Sequence, residues 1–297
     1  MTASASPEWT SPERTRLVVL GHPVGHSLSP PMQNAALREM GLADRWTYDA
    51  IDVTPAEFPA LVRKLADEGY KGANVTLPHK VAALALSDEA TSQARRIGAA
   101  NTLTFNDDGT ISAANSDAPG FLDSLGQAAA GRRAVVLGAG GTSRAVVCAL
   151  TDAGAEVLIW NRTYARAVAL AEEFGARALS DREWDQLSST GDFDIVTNTT
   201  SIGLRQPGER FQGEEDLKAL GIRGDNLNES HTVVDLVYGT EPTALALAAR
   251  QAGAKFVDGL EILILQGAIS LNIWTGMEVP IDAMRDAIRE ATGEQAM

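Results

Sequence analysis

The stretch Arg133-Ala-Val-Val-Leu137-Gly138-Ala139-Gly140-Gly141-Thr142 decides the fold. Arg133 to Leu137 reads as a buried strand, the glycines as a tight turn, and Ser143 to Ala153 as a helix whose N-terminus can face a pyrophosphate. A second apolar run, Glu156 to Trp160, completes a βαβ unit. It ends in Asn161-Arg162-Thr163, with Arg166 close behind. In NAD-binding units an acid about 20 residues past the glycines takes the ribose hydroxyl, and that carboxylate would repel a 2′-phosphate. Here the position holds Asn161, and the Arg162 guanidinium offers a planar, permanently charged fork for phosphate. The strand end therefore favours NADP over NAD, against the plainer reading of Arg162 as a solvated surface charge.

At 297 residues the chain can form about two domains with a sizeable core. A hydrophobic content of 44% with 22% charged residues is ordinary for a soluble globular protein. The net charge of −14, from 39 acids against 25 bases, disfavours nucleic acid and anionic membranes as partners. Anionic ligands must then be held by local arginines, lysines and backbone amides rather than by a global field. The single cysteine, Cys148, falls among apolar residues of the nucleotide helix and reads as an inert packed thiol. Met1 to Glu13 lacks the basic start and apolar core of a signal peptide and reads, with residue 14, as a disordered tail. Ile262 to Leu265 is too short to span a bilayer, so a cytoplasmic protein is expected.

Upstream of the nucleotide unit runs a separate βαβαβ rhythm: strands at Arg16–Leu20, Trp46–Val53 and Gly72–Val75, with helices at Pro30–Met40 and Pro55–Asp67. A helix through Val81 to Leu86 and a hairpin turning at Asp108-Gly109 follow. Downstream, Phe193 to Val196 and Thr232 to Leu236 read as further strands, and Leu260–Ile273 and Ile281–Thr292 as helices. Arg205 to Ser230, polar and glycine-rich, is predicted to be a mobile surface region.

Three loops of the first half carry the chemistry. Ser27 and Ser29 stand just before a helix start, where they either cap the helix or donate to a small carboxylate. Asn74 and Thr76 emerge at a strand end, where open α/β sheets bind ligands, and Lys80 follows as one of only five lysines. Asn101 and Asp117 supply an amide and a carboxylate immediately before the nucleotide unit, although Asp117 also suits a turn or cap.

These motifs, in this order and followed by Gly-x-Gly-Gly, resemble the shikimate dehydrogenase family from about Leu17 to Thr275. Asn198-Thr199-Thr200, Val234-Asp235-Leu236-Val237-Tyr238, Gly259-Leu260-Glu261 and Trp274-Thr275-Gly276 extend the match. The resemblance implies an α/β chain of two domains: a substrate-binding domain over 15–117 plus 259–297, its last helices returning to it, and a doubly wound Rossmann NADP domain over 118–258. It implies NADPH-dependent reduction of 3-dehydroshikimate to shikimate, with Lys80 and Asp117 as the catalytic pair and no metal. Ser27 and Ser29 would bind the substrate carboxylate; Asn74, Thr76, Asn101, Tyr238 and Gln266 would hold its hydroxyls. Gly138, Ala139, Gly140, Gly141, Thr142, Asn161, Arg162, Thr163, Arg166, Leu236 and Gly259 would contact the cofactor. A homodimer is compatible with this reading. Gln33, Ser116, Ala118, Thr240, Leu265 and Leu271 depart from the family pattern and leave the choice among shikimate, quinate and related polyols open. Two other readings are a non-catalytic NADP-binding regulator, which would need no Lys80 and Asp117, and a methylene-tetrahydrofolate-type dehydrogenase, which would need no Ser-x-Ser clamp.

Overall fold

The computed structural model describes residues 14–205, 211–239 and 241–293. The tail expected over 1–14 lies outside the described residues except for Arg14, as does Thr240. Two six-stranded sheets organise the chain. The first starts with β1 (Thr15–Gly21), α1 (Ser29–Glu39), β2 (Trp46–Asp52), α2 (Phe58–Asp67) and β3 (Tyr70–Val75). The segments α3 (Lys80–Leu86), β4 (Glu89–Ala90), α4 (Ser92–Ile97), β5 (Thr102–Phe105), β6 (Ile111–Ala114) and α5 (Asp117–Leu125) follow. Strand order is β2-β1-β3-β5-β6-β4; β1, β2 and β3 run parallel, and β5 turns antiparallel to β3 and β6.

Alternation along β1 explains how this sheet is covered on both faces. Val18 and Leu20 pack with Phe58, Val62 and Leu65 of α2, while Leu17 and Val19 pack on the opposite side with Met32 of α1. Phe58, Val62 and Leu65 recur at helical spacing, so α2 presents one apolar stripe. Each such buried side chain contributes roughly 1.5–3 kcal/mol relative to exposure.

The second sheet holds β7 (Arg133–Leu137), α6 (Gly141–Asp152), β8 (Glu156–Trp160), α7 (Tyr164–Phe174), β9 (Arg177–Leu179), α8 (Asp181–Thr190), β10 (Ile195–Asn198), α9 (Gly213–Leu220), β11 (Thr232–Asp235), α10 (Ala244–Gln251) and β12 (Lys255–Asp258). All its pairings are parallel, in the order β12-β11-β10-β7-β8-β9. This is the doubly wound α/β sheet expected, with its switch of direction between β7 and β10. Ligands of such sheets bind in the crevice at that switch, beyond the strand C-termini. The chain ends in α11 (Gly259–Thr275) and α12 (Ile281–Thr292), whose Trp274, Met284 and Ile288 join Met32 and Leu37 of α1 in one core.

Several elements differ from the sequence reading. The predicted mobile stretch Arg205–Ser230 contains α9, and Leu220, Ile222 and Leu227 are buried with Trp184, whose indole N–H donates to the Leu220 carbonyl at 2.9 Å. A few well-spaced apolar residues inside a polar segment suffice to dock it; residues 206–210 lie outside the described residues. Helix α5 begins at Asp117 itself, because Pro119 falls in the first turn, where its missing N–H costs nothing. Helices α4, α7, α8 and α10 and strands β9 and β12 were not expected. Among the described residues no helix is long and apolar enough to cross a membrane.

Candidate active site

Strand ends of the first sheet are laced together before any side chain is considered. His22 N donates to Leu77 O at 3.0 Å and Thr76 N to Leu20 O at 2.9 Å. Gly21 permits this, since a Cβ there would stand 2.4 Å from the Thr76 methyl. The serine loop and the Asn74 to Lys80 loop therefore share one rim. Ser27 Oγ accepts from Ser29 N at 3.2 Å, so the loop serine does tie the helix start, yet its hydroxyl hydrogen has no acceptor among the described residues. Ser29, buried, lies beside the phenol of Tyr48. Thr76 is half-buried, and its hydroxyl makes no hydrogen bond among the described residues.

Lys80 opens α3, and its Nζ donates to Asp117 Oδ2 at 2.8 Å. The two side chains are only 14% and 17% exposed, so their attraction is screened less than that of a surface pair. Asn101 Nδ2 donates to the other carboxylate oxygen, Asp117 Oδ1, at 2.8 Å. It also lies 3.1 Å from Gln266 Oε1 and 2.9 Å from Ser116 Oγ. Ser116 N fixes Asn101 from the far side, donating to its Oδ1 at 2.7 Å. Lys80, Asp117, Asn101 and Gln266 thus form one contiguous hydrogen-bonded group drawn from four separate segments. Gln266 reaches it because Gly120 lets α5 press on α11: a Cβ at Gly120 would stand 2.7 Å from Gln266 N.

Behind this group lie polar residues that the sequence reading left without a role: Ser270, Thr102 and Tyr48, all buried, with Ser116. Tyr48 OH donates to Asn74 Oδ1 at 2.7 Å, and Ser270 Oγ is 2.8 Å from Thr102 Oγ1 and 3.0 Å from Ser116 Oγ. Ser270 follows Gln266 by four residues on α11, so the helical period was the signal available. Of the residues departing from the family pattern, Gln33 is buried and donates to Gly267 O at 2.9 Å, and Leu271 and Ala118 are core residues.

The second group of residues collects at the switch of the nucleotide sheet. Gly138 has φ 115°, and a Cβ there would meet Thr199 Oγ1 at 2.6 Å, so no other residue fits the turn. Gly140 and Gly141 have open space where their Cβ atoms would stand, a cradle for a ligand's approach. Ser143 Oγ accepts from Gly140 N at 2.9 Å and lies 2.6 Å from Thr199 Oγ1, which itself donates to Leu137 O at 2.7 Å. These bonds pin the turn at the N-terminus of α6, where backbone N–H groups favour phosphate. Asn161 Nδ2 donates to Thr163 O at 2.9 Å, while Arg162, Thr163 and Arg166 are exposed. No carboxylate among the described residues pairs with Arg162. Residues and cradle fit a dinucleotide with a 2′-phosphate.

Leu236 and Tyr238 leave the end of β11 and stand half-buried and exposed at the lip; neither enters the Lys80 group. Gly259 starts α11 against them, since its Cβ would come within 2.7 Å of Leu236 O. Asp235, fully buried below this lip, accepts from Asn198 Nδ2 at 2.9 Å, Thr243 Oγ1 at 2.6 Å and Val237 N at 3.1 Å. Burial pushes its carboxyl up to about 6, against those hydrogen bonds, with the charge of Asp258 acting in the same direction as burial. Its folded value therefore lies above its unfolded one. The stability it contributes is full below about pH 4 and is lost as pH rises through about 6. Asp235→Asn is expected to melt progressively higher, relative to the parent chain, as pH rises from 4 to 7; a difference independent of pH would reject the buried acid. Burial likewise raises the Cys148 thiol to about 11, as an inert core thiol requires.

Three family models match the chain: the shikimate dehydrogenase substrate binding domain over residues 19–103, shikimate / quinate 5-dehydrogenase over 122–204, and the shikimate 5'-dehydrogenase C-terminal domain over 259–289. This chain belongs to the shikimate dehydrogenase family. A shikimate dehydrogenase (NADP(+)) of Thermus thermophilus is 41% identical over 280 residues, covering 94% of this chain and 99% of the relative. The crystal structure of a Thermus thermophilus shikimate 5-dehydrogenase in complex with NADP(H) and shikimate has TM-score 0.81 and 40% identity, covering 93% of this chain and 99% of that one. A ligand-free 5-ketofructose reductase of Gluconobacter, at 27% identity, has TM-score 0.79 over 94% of this chain and 99% of its own. The same two-domain α/β frame is thus found in enzymes named for different substrates.

Proposed function

We propose that this chain is an NADP-dependent shikimate dehydrogenase that reversibly reduces 3-dehydroshikimate to shikimate, a step toward chorismate and the aromatic amino acids. The observation that carries the proposal is the contact of Lys80 Nζ with Asp117 Oδ2 inside the Asn101 and Gln266 group. The substrate-binding part is 15–117 plus 259–297 and the cofactor part 118–258. The carboxylate of the substrate meets the free Ser27 hydroxyl and Ser29 at the N-terminus of α1. Asn74, Thr76, Asn101 and Gln266 hold ring hydroxyls, with Tyr238 closing from the lip.

Gly138 to Thr142, Asn161 to Arg166, Leu236 and Gly259 would hold NADPH, which when bound would supply the hydride at carbon. The oxygen that gains charge needs a donor and then a proton. Lys80 has ammonium hydrogens beyond the one given to Asp117, so it can hydrogen-bond that oxygen and stabilise the developing alkoxide. Asp117, braced by Asn101, holds the ammonium in place and completes the proton path; in the reverse direction the pair takes the hydroxyl proton as hydride departs.

Steady-state rates with shikimate and quinate, each with NADP and NAD, test the assignment. The highest kcat/KM is expected for shikimate with NADP; a higher value for quinate or for NAD would overturn it. Relaxed specificity is the second reading, prompted by Gln33 and Leu271 at positions that depart from the family. Arg162→Ala is expected to lower kcat/KM with NADPH by about 10- to 100-fold, the worth of a charge-assisted phosphate contact, and to leave NADH nearly unchanged. An unchanged NADPH/NADH ratio would refute the phosphate fork.

A further inference from the structure

Asn74 has nothing left to donate. An asparagine amide carries two hydrogens and a carbonyl oxygen with two lone pairs. Here Nδ2 donates to the Asn101 carbonyl at 3.1 Å and to Ser270 Oγ at 2.9 Å. The Asn101 carbonyl can only accept, so a flipped side chain would set two oxygens against each other, and the two bonds together hold the amide in this orientation. Ser270 takes the second hydrogen because its own points elsewhere, to the Gln266 carbonyl at 3.1 Å one turn back on α11. On the far side, Oδ1 accepts from Tyr48 OH at 2.7 Å, and burial keeps that phenol protonated. What Asn74 can still offer a ligand is one lone pair.

We propose that Ser270 is a positioning residue that commits the last amide hydrogen of Asn74, so that Asn74 meets the substrate only as a hydrogen-bond acceptor and selects a ring hydroxyl that donates. The inference rests on the substrate reading above. It adds a polarity to it: a ketone or ether oxygen at that ring position faces a lone pair and is rejected, whereas a hydroxyl is welcomed. Sites built to pair a substrate hydroxyl discriminate strongly against analogues that lack the hydrogen.

The test is titration calorimetry of the full chain with shikimate and with each of its three monodeoxyfluoro analogues, in which fluorine replaces a hydroxyl and donates nothing. The parent chain is expected to lose about tenfold or more in affinity for one of them. In Ser270→Ala only the Asn101 carbonyl still holds the amide, so the released N–H can tilt toward fluorine, and that loss falls below about threefold while NADP affinity is unchanged. Ser270→Cys, which keeps the volume but replaces the acceptor with a weak one, gives the same result if the alanine variant does not fold. Equal analogue penalties in parent and variant overturn the role of Ser270. Failure of the parent chain to bind shikimate at all overturns instead the substrate reading beneath it.

Discussion

Lys80→Ala is expected to lower kcat for shikimate oxidation by about a thousandfold, within the range for losing a positioned proton-transfer group. The loss is expected in kcat more than in KM, because the ammonium matters most when charge builds on the reacting oxygen. Lys80 is the cation that touches Asp117, and with the side chains only 14% and 17% exposed, water cannot substitute well for it. Removing it leaves Asp117 with Asn101 as its side-chain donor. Steady-state and single-turnover rates for the variant decide the matter. Activity within tenfold of the parent, with the fold intact by circular dichroism, would strip Lys80 and Asp117 of their proposed role.

Gly120→Ala is expected to destabilise the chain by about 3 kcal/mol and to damage substrate binding together with stability. The added methyl would sit 2.7 Å from Gln266 N and 2.9 Å from its Cα, contacts with backbone that no rotamer change relieves. Helix α5 must then move away from α11, and with it Asp117 from Gln266. Thermal melting should fall by about 6 °C or more, and KM for shikimate should rise in the folded fraction. A variant that melts like the parent and binds shikimate normally would show that the two helices have slack at their crossing.

Much of the frame was legible from period and punctuation. The run from Arg133 to Thr142 and the strand from Glu156 to Trp160 appear as β7, the turn and β8, because parallel strands are apolar on both faces and the phosphate turn needs glycine. The same logic placed β1, β2, β3, α1 and α2. What was not legible had weaker local signals. Helix α5 hides behind Pro119 and Gly120, and α9 behind a polar composition in which Leu220 docks by tertiary contact.

At the site, Lys80, Asp117, Asn101 and Gln266 were nameable from the family resemblance, and the structure brings them into contact. Tyr48 and Ser270 were not, since a tyrosine in a strand and a serine in a helix carry no sign of their partners until β2, β3 and α11 are packed together. The orientation of the Asn74 amide is a property of that packing rather than of any short motif.

Helix α11 starts with Gly259 against the Leu236 carbonyl and carries Gln266 and Ser270 along its length. It is in effect a ruler laid between the cofactor's sheet and the substrate's. Seven residues from Gly259 to Gln266 amount to about 10 Å of rise and nearly two turns. The spacing between Gly259 beside the end of β11 and the Gln266 amide beside Asn101 is therefore set by counting residues. Substitutions on its solvent side leave the measure intact. One residue inserted between Gly259 and Gln266 would swing the amide by about 100° and leave two well-folded halves out of register with each other.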